Sequence, residues 1–312
     1  MNNTPSVNVT YCHSQVLHPF IPTLLTIIFV FGFILNTASL WIFWFHIKKW
    51  SSGMVLQFNL ALTDAIITLA APMMITYFFL GNHWPFGNFL CQLNVFFMST
   101  HLYGSIYFLA LISIHRYVAI VRHHKKSRFK RKSFIINICV AGWLILFFQG
   151  FVFFFSLRTT VVDNTIKCLN IHQSDMVHLF FYWNMLYLFP SFLLPFAISL
   201  TCYVRLVFFV SKMTSNSLRG QVMRTRSIQI ITVSLVIFAI CFLPIHISRT
   251  LGVIIKYFSI SCNLLHKVET SYYISWVFTS ANCCLDPLLY IFSTEMFYKS
   301  FTKIPSCIKW AK

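Results

Sequence analysis

The chain has 312 residues, 58% of them hydrophobic and only 10% charged, where a soluble globular protein carries roughly 25% charged residues. Its 24 Lys and Arg against 6 Asp and Glu leave a formal charge of +18, which in a soluble chain would point to nucleic acid; in a chain this apolar the polyanion is the cytoplasmic face of a lipid bilayer. A membrane span takes about 20 apolar residues, so this length holds at most about seven spans with short loops, which disfavours an enzyme with its own aqueous core.

Residues 1–19 read as a polar tail holding Asn2-Asn3-Thr4 and Asn8-Val9-Thr10. These are acceptor sequons that make Asn2 and Asn8 candidate glycosylation sites on an extracellular segment, although so short a pattern also arises by chance. The tail lacks a basic n-region, so the first span itself is expected to direct insertion. Apolar runs follow at about 20–46, 54–80, 90–121, 134–157, 178–210, 227–256 and 269–292, each long enough to cross and none alternating as a transmembrane β-strand would. The prediction is an all-α membrane protein: a seven-transmembrane helix bundle over 20–292, with 293–312 as a short amphipathic eighth helix and tail. Loops after odd-numbered spans carry Lys48 and Lys49, then Arg122, Lys125, Lys126, Arg128, Lys130, Arg131 and Lys132, then Lys212, Arg219, Arg224 and Arg226. The other side has Arg158, Lys167, Arg249, Lys256 and Lys267. The positive-inside rule therefore places the N-terminus outside and the C-terminus inside a multi-pass protein of the plasma membrane.

Four cysteines, Cys12, Cys91, Cys168 and Cys262, fall on the oxidising side of this topology and allow three pairings. Cys91 opens the third span and Cys168 sits in the loop after the fourth, while Cys12 lies in the tail and Cys262 in the last outer loop; the pairing expected is Cys91–Cys168 and Cys12–Cys262, the plainer alternative being free thiols. Cys139, Cys202, Cys241, Cys283 and Cys284 lie within spans and read as small apolar packing residues. Carboxylates are costly at membrane depth, which singles out Asp64 and Asp286. With Asn36, Ser105 and Asn282 they form either a structural hydrogen-bond network or a cation or proton site, and the sequence leaves both readings open. In the tail from Glu295 to Lys303, Phe297 and Phe301 are spaced to face lipid and Lys299 and Lys303 to face phosphates. Cys307 just beyond is a candidate for palmitoylation.

The motifs fall in a recognisable order: Gly32 with Asn36, Asn59-Leu60-Ala61-Leu62-Thr63-Asp64, Trp84-Pro85-Phe86-Gly87 before Cys91, His115-Arg116-Tyr117, Trp143, Pro195 with Tyr203, Cys241-Phe242-Leu243-Pro244, and Asp286-Pro287-Leu288-Leu289-Tyr290. Over essentially the whole chain this resembles the rhodopsin-like G-protein-coupled receptors. The opsin subgroup is excluded, because Ser280 stands where its retinal lysine would fall. The resemblance implies a heterotrimeric G protein as partner and a switch built from His115, Arg116, Tyr117, Tyr203, Arg224, Phe242, Pro244, Asp286, Pro287 and Tyr290. It also implies a candidate sodium site at Asp64, Ser105, Asn282 and Asp286. Physics supports the switch, since Pro195, Pro244 and Pro287 each remove an intrahelical hydrogen bond and permit pivoting. Arg116 looks like the arginine that meets the G protein when the sixth span swings outward, the plainer alternative being one more positive-inside arginine. The chain departs from the family at His115, where an aspartate usually holds that arginine. His101 stands where many relatives place an asparagine near sodium.

His246 and Arg249 lie three apart on one helical face, a turn beyond Pro244. A guanidinium there offers a permanent, planar fork for a carboxylate or phosphate, unless it snorkels to the interface. This pattern, Asp-Pro in the seventh span and the expected Cys12–Cys262 tie look like the purinergic-receptor-like branch, whose members respond to nucleotides, dicarboxylates, leukotrienes and lysophospholipids. The resemblance implies an extracellular anionic ligand, with Arg158, Lys167, Met98, Ser99, Tyr272 and Trp276 as further contacts and Phe151 to Phe155 nearby. One arginine among aromatics suits a single anionic head on an apolar body, a lipid acid or lysophospholipid rather than a triphosphate. Two alternatives stand beside this: a homologue that signals without ligand or modulates a partner receptor, and an anion transporter, against which the lack of an internal repeat speaks. Neither nucleic acid nor enzymatic chemistry is expected.

Overall fold

The computed structural model describes residues 20–121, 127–156, 158–162, 165–168, 177–212, 218–258 and 261–293. Seven long helices lie among the described residues. The first, α1 (Phe20–Trp41), runs on through a π turn at Ile42–His46. It is followed by α2 (Ser52–Phe79), α3 (Gly87–Val121) and α4 (Lys132–Ser156). Val177–Leu188, a π turn at Phe189–Leu193 and Leu194–Ser211 make one helix, α5. Leu218–Ile237, a π turn at Phe238–Phe242 and Leu243–Tyr257 make α6, and α7 is Cys262–Ser293. All but α7 are long and apolar enough to cross a membrane by length and composition alone. The reason α7 is less apolar is its function in the packing: Ser275, Thr279, Ser280, Asn282 and Asp286 are all buried against the other helices.

Local rules explain the ends and the bends. Ser51 caps α2 by accepting a hydrogen bond from the Met54 N–H at 3.3 Å. The turn into α3 needs Gly87, whose φ of 79° lies in the left-handed region. The two π turns of α5 and α6 sit at Pro190 and immediately before Pro195 and Pro244. A widened turn relieves the clash of a proline ring with the preceding carbonyls. In α6 the bend leaves the Cys241 carbonyl to accept the Thr279 hydroxyl of α7 at 2.7 Å, so the bent helix is tied to its neighbour at its weak point.

Helix α3 is the central column, packing on α2, α4, α5 and α6. The most peripheral surfaces are paved with exposed Phe31, Phe33, Trp44, Leu144 and Phe148, which suits a lipid rather than an aqueous environment. Motif residues supply polar cross-ties: the Asn36 amide donates to the Cys283 carbonyl of α7 at 2.7 Å, and Trp143 Nε1 to Asn59 Oδ1 at 2.7 Å. At one end a hairpin, β1 (Thr160–Val162) paired antiparallel with β2 (Thr165–Lys167), leads into Cys168. Cys168 is disulfide-bonded to Cys91 of α3. The Ile166 carbonyl also accepts the Trp84 N–H at 2.7 Å, so the hairpin is fastened covalently to α3 and by backbone to the α2–α3 turn. Cys12, Cys262's side chain, Asn2, Asn8, Cys307 and the expected eighth helix lie outside the described residues.

Candidate functional site

Among the described residues, polar clusters along the bundle axis include three that hold the expected site residues. The first is at the disulfide end, one turn beyond Pro244. Arg249 turns inward from α6 and donates from Nη1 to the Tyr103 hydroxyl of α3 at 2.8 Å. The Tyr272 hydroxyl of α7 is near enough to interact electrostatically with both. His246, a turn earlier, is buried, with its ring stacked on Phe192 of α5 at 4.3 Å and tilted against Tyr103 at 6.2 Å. Trp276 stands edge-on to Tyr272 at 6.2 Å. Asn184 of α5 donates to Thr250 beside Arg249 at 3.1 Å. Helices α3, α5, α6 and α7 therefore converge on one guanidinium surrounded by rings and hydroxyls. Such an environment lets a cation persist at depth and leaves it a strong point of attraction for an anion.

The other expected ligand contacts are placed differently. Met98 is buried, with its sulfur accepting from the Asn94 amide at 3.4 Å. Ser99 donates to the Phe96 carbonyl of its own helix at 3.0 Å. Lys167 is buried in β2 beside Cys168, and Arg158 is exposed on the approach to the hairpin. Phe151 and Phe155 do not join the cluster: they pack on each other at 4.6 Å and are 59% and 63% exposed. Phe151 and Phe155 belong to the outward face of α4, and a run of phenylalanines carries no mark of which side meets lipid. Conversely Tyr103 and Phe192, which sequence reasoning passed over, are central. The signal for Tyr103 was its place one helical turn beyond Ser99, on the face that the ligand contacts were expected to share.

The second cluster lies mid-bundle. Asp64 and Asp286 are fully buried, with their carboxylates within hydrogen-bonding reach of one another. Ser105 donates to Asp64 Oδ1 at 3.4 Å, Asn282 donates to Asp286 Oδ2 at 3.0 Å, and His101 Nδ1 lies 3.5 Å from Asp64 Oδ1. Two carboxylates in this contact require a shared proton or a cation beside them. Among the described residues no N–H or O–H group donates to Asp64 Oδ2, Asp286 Oδ1 or Asn282 Oδ1, all buried acceptors. They are hard oxygen donors, so the residues fit a small hard cation such as sodium. Asn36 is engaged instead with the α7 backbone.

The third cluster is at the opposite end of α3. His115 Nε2 and the Ser52 hydroxyl of α2 are 2.9 Å apart. The imidazole can reach α2 because Gly53 has no Cβ; one added there would lie 3.1 Å from His115 Cε1. Arg116 is the next residue, half-buried. Tyr290 of α7 is fully buried with its ring edge-on to Phe43 at 5.4 Å, and its hydroxyl couples electrostatically to Asp64 and Asp286. Tyr117 lines a cavity against α5, while Tyr203 and Arg224 are half-buried on α5 and α6. Phe242 and Pro244 form the bend of α6, and Pro287, a residue from Asp286, lies within α7.

Residues 35–290 match the family described as 7 transmembrane receptor (rhodopsin family). Among curated proteins the chain is 32% identical over 277 residues to the Y-type purinoceptor 4 of Rattus norvegicus, covering 89% of this chain and 76% of the relative. It is 31% identical over 289 residues to the Y-type purinoceptor 1 of Mus musculus, covering 91% and 76%. With the Y-type purinoceptor 2 of Homo sapiens it is 32% identical over 277 residues, covering 88% and 73%.

Proposed function

The chain belongs to the rhodopsin-like family of seven-transmembrane, G-protein-coupled receptors, in its purinergic-receptor-like branch, and on that footing we propose that it is activated by an extracellular small molecule bearing one anionic group on an apolar body. The observation that carries this reading is the inward position of Arg249, bonded to Tyr103 across the bundle where snorkelling would have taken it outward. A carboxylate or phosphate would meet the guanidinium fork, and Tyr272, Trp276 and His246 would pack its apolar part. The disulfide end then faces the exterior and the Arg116 end the cytoplasm of the plasma membrane, in accord with the positive-inside count. Nucleotides are the second reading, supported by relatives that are named purinoceptors.

Binding would be read out through α6. Arg249 sits beyond the proline and π-turn bend of that helix, so a ligand that grips Arg249 more tightly in one tilt of α6 favours that tilt of the half on the far side of the bend. That half packs on α3 near Arg116, where a G protein would engage. The mid-bundle carboxylates lie between the two ends; Asp64, Ser105, Asn282 and Asp286 would hold a sodium ion there, whose single charge would offset one carboxylate while the other keeps a proton. The test is a panel of lysophospholipids, fatty acids, dicarboxylates and nucleotides applied to expressing cells with G-protein dissociation sensors. Empty-vector cells and the Arg249→Ala variant serve as controls. A response to anions that survives Arg249→Ala would overturn the anion-pocket reading.

A further inference from the structure

A cavity of about 420 Å³ opens on the flank of the bundle at the Arg116 end. Its walls are Tyr117 and Val118 of α3, Phe129 of the short turn before α4, and Ala197, Cys202 and Arg205 of α5. Ala197 and Thr201 on its α5 side are exposed, as are Leu200, Val204 and Phe208 on the same helix, so the mouth faces the surrounding hydrocarbon and not the bundle axis. A cavity of this size falls in the range of small-molecule sites. Its lining carries one permanent charge, Arg205. Arg205 is exposed and makes no hydrogen bond or ion pair among the described residues. Arg128, beside Phe129, is a second exposed cation on the same border.

The sequence removes the ordinary way to neutralise that charge. The six acidic residues are Asp64, Asp163, Asp175, Glu269, Asp286 and Glu295, and neither 114–133 nor 197–226 contains one. An apolar slot open to lipid, with cations at its polar end and no carboxylate within either flanking segment, is complementary to an amphiphile with an anionic head. We propose that this groove holds one anionic phospholipid from the bilayer, with its phosphate-bearing headgroup on Arg205 and an acyl chain against Tyr117, Val118 and Ala197. Tyr117 adjoins Arg116, so occupancy is mechanically linked to the switch end of α3. The site lies away from the Arg249 pocket and does not depend on which ligand that pocket takes.

The test uses the full chain in nanodiscs of phosphatidylcholine with a minority of phosphatidylserine on both faces, which removes any dependence on orientation. Photoreactive phosphatidylserine and phosphatidylcholine with the same diazirine-bearing chain are crosslinked separately, and labelled peptides are mapped. The phosphatidylserine probe is expected to label peptides spanning Ile114–Val118 or Ala197–Arg205 about 5-fold more than the phosphatidylcholine probe, the preference expected of one interfacial cation worth about 1 kcal/mol. Arg205→Gln should equalise the two probes, and Ala197→Trp, which fills the slot, should abolish labelling there by both. Thr201→Phe is the second filling variant, and thermal melting confirms that each variant is folded. Equal labelling in the unaltered chain, a preference that survives Arg205→Gln, or labelling that survives both filling variants would overturn the proposal. So would labelling by a photoreactive fatty acid with none by phosphatidylserine.

Discussion

The two ends of α3 handle an arginine in different ways. At the disulfide end, Arg249 comes from α6 and reaches across to Tyr103 of α3, so its hydrogen bond spans the helix pair that a receptor must rearrange. At the other end, Arg116 belongs to α3 itself, and its neighbour His115 is tied to Ser52 of α2, away from α6. One arginine is part of the moving joint; the other is presented by the fixed column. The disulfide and the hairpin add a second fastening to the first end. The difference separates two properties: ligand response should be sensitive to residues at the braced end, and resting activity to residues at the other.

The largest effect expected is on ligand response. Arg249→Ala should lower potency by about 100-fold or more, because an anion buried without its cation loses several kcal/mol and each 1.4 kcal/mol is about tenfold. Surface expression and ligand-free signalling should stay near those of the unaltered receptor. A matching fall in basal signalling would break the division between the two ends. Next in size, Cys91→Ser or Cys168→Ser should reduce surface delivery about tenfold, read by cell-surface labelling. The bridge joins residues 77 apart, and in the chain-entropy account a loop of that length contributes roughly 4 kcal/mol.

The resting state is the third test. His115→Asp should lower ligand-free G-protein activation at matched surface expression, because the carboxylate would restore an ion pair to Arg116 that the imidazole does not supply. An ion pair of about 1–2 kcal/mol changes the active population about 5–30-fold. His115→Ala separates this from the Ser52 tie: it removes the α2 contact without adding a carboxylate, and should leave basal activity within a factor of about two. Equal activity in the unaltered receptor and His115→Asp would mean that the resting equilibrium is set elsewhere, for instance at the α6 bend.

How far these assignments were legible in the sequence follows from physical scale. Spans are legible because bilayer thickness imposes one length on every apolar run, and the observed helices follow the expected ones closely through α1 to α5. The misjudged ends are polar extensions beyond the hydrocarbon. Helix α6 begins at Leu218 rather than about 227, since Arg224 and Arg226 can be helical in water, and α7 begins at Cys262 rather than about 269, ahead of the polar Asn263, His266 and Lys267. Hydropathy is blind to both. The three-residue strands of the hairpin are too short for a period-two pattern. Prolines announced bends in α5 and α6 but not their π-turn form, nor that Thr279 would hold the freed carbonyl. At the site, Arg249 stood out because a charge in an apolar run is conspicuous. Tyr103 did not, because a tyrosine in an aromatic-rich helix is ordinary until the fold shows what its hydroxyl meets.

The smallest expected effect is at Tyr103. Tyr103→Phe keeps the ring that packs against His246 and removes only the hydroxyl that accepts from Arg249. Two consequences oppose each other. Without the phenol, Arg249 loses a contact that helps to fix its rotamer, and a looser guanidinium must be ordered by the ligand at an entropic cost of roughly 1 kcal/mol. Against this, one more N–H becomes available to an anion. A guanidinium carries five donors, and Tyr103 accepts from only one of its nitrogens, Nη1, so releasing a single N–H adds little. Orientation should therefore win, and potency should fall about fivefold with efficacy and surface expression unchanged. A gain in potency would show instead that Tyr103 competes with the ligand for Arg249, which would make the α3–α6 bond a latch that the ligand must break and not the support on which it docks.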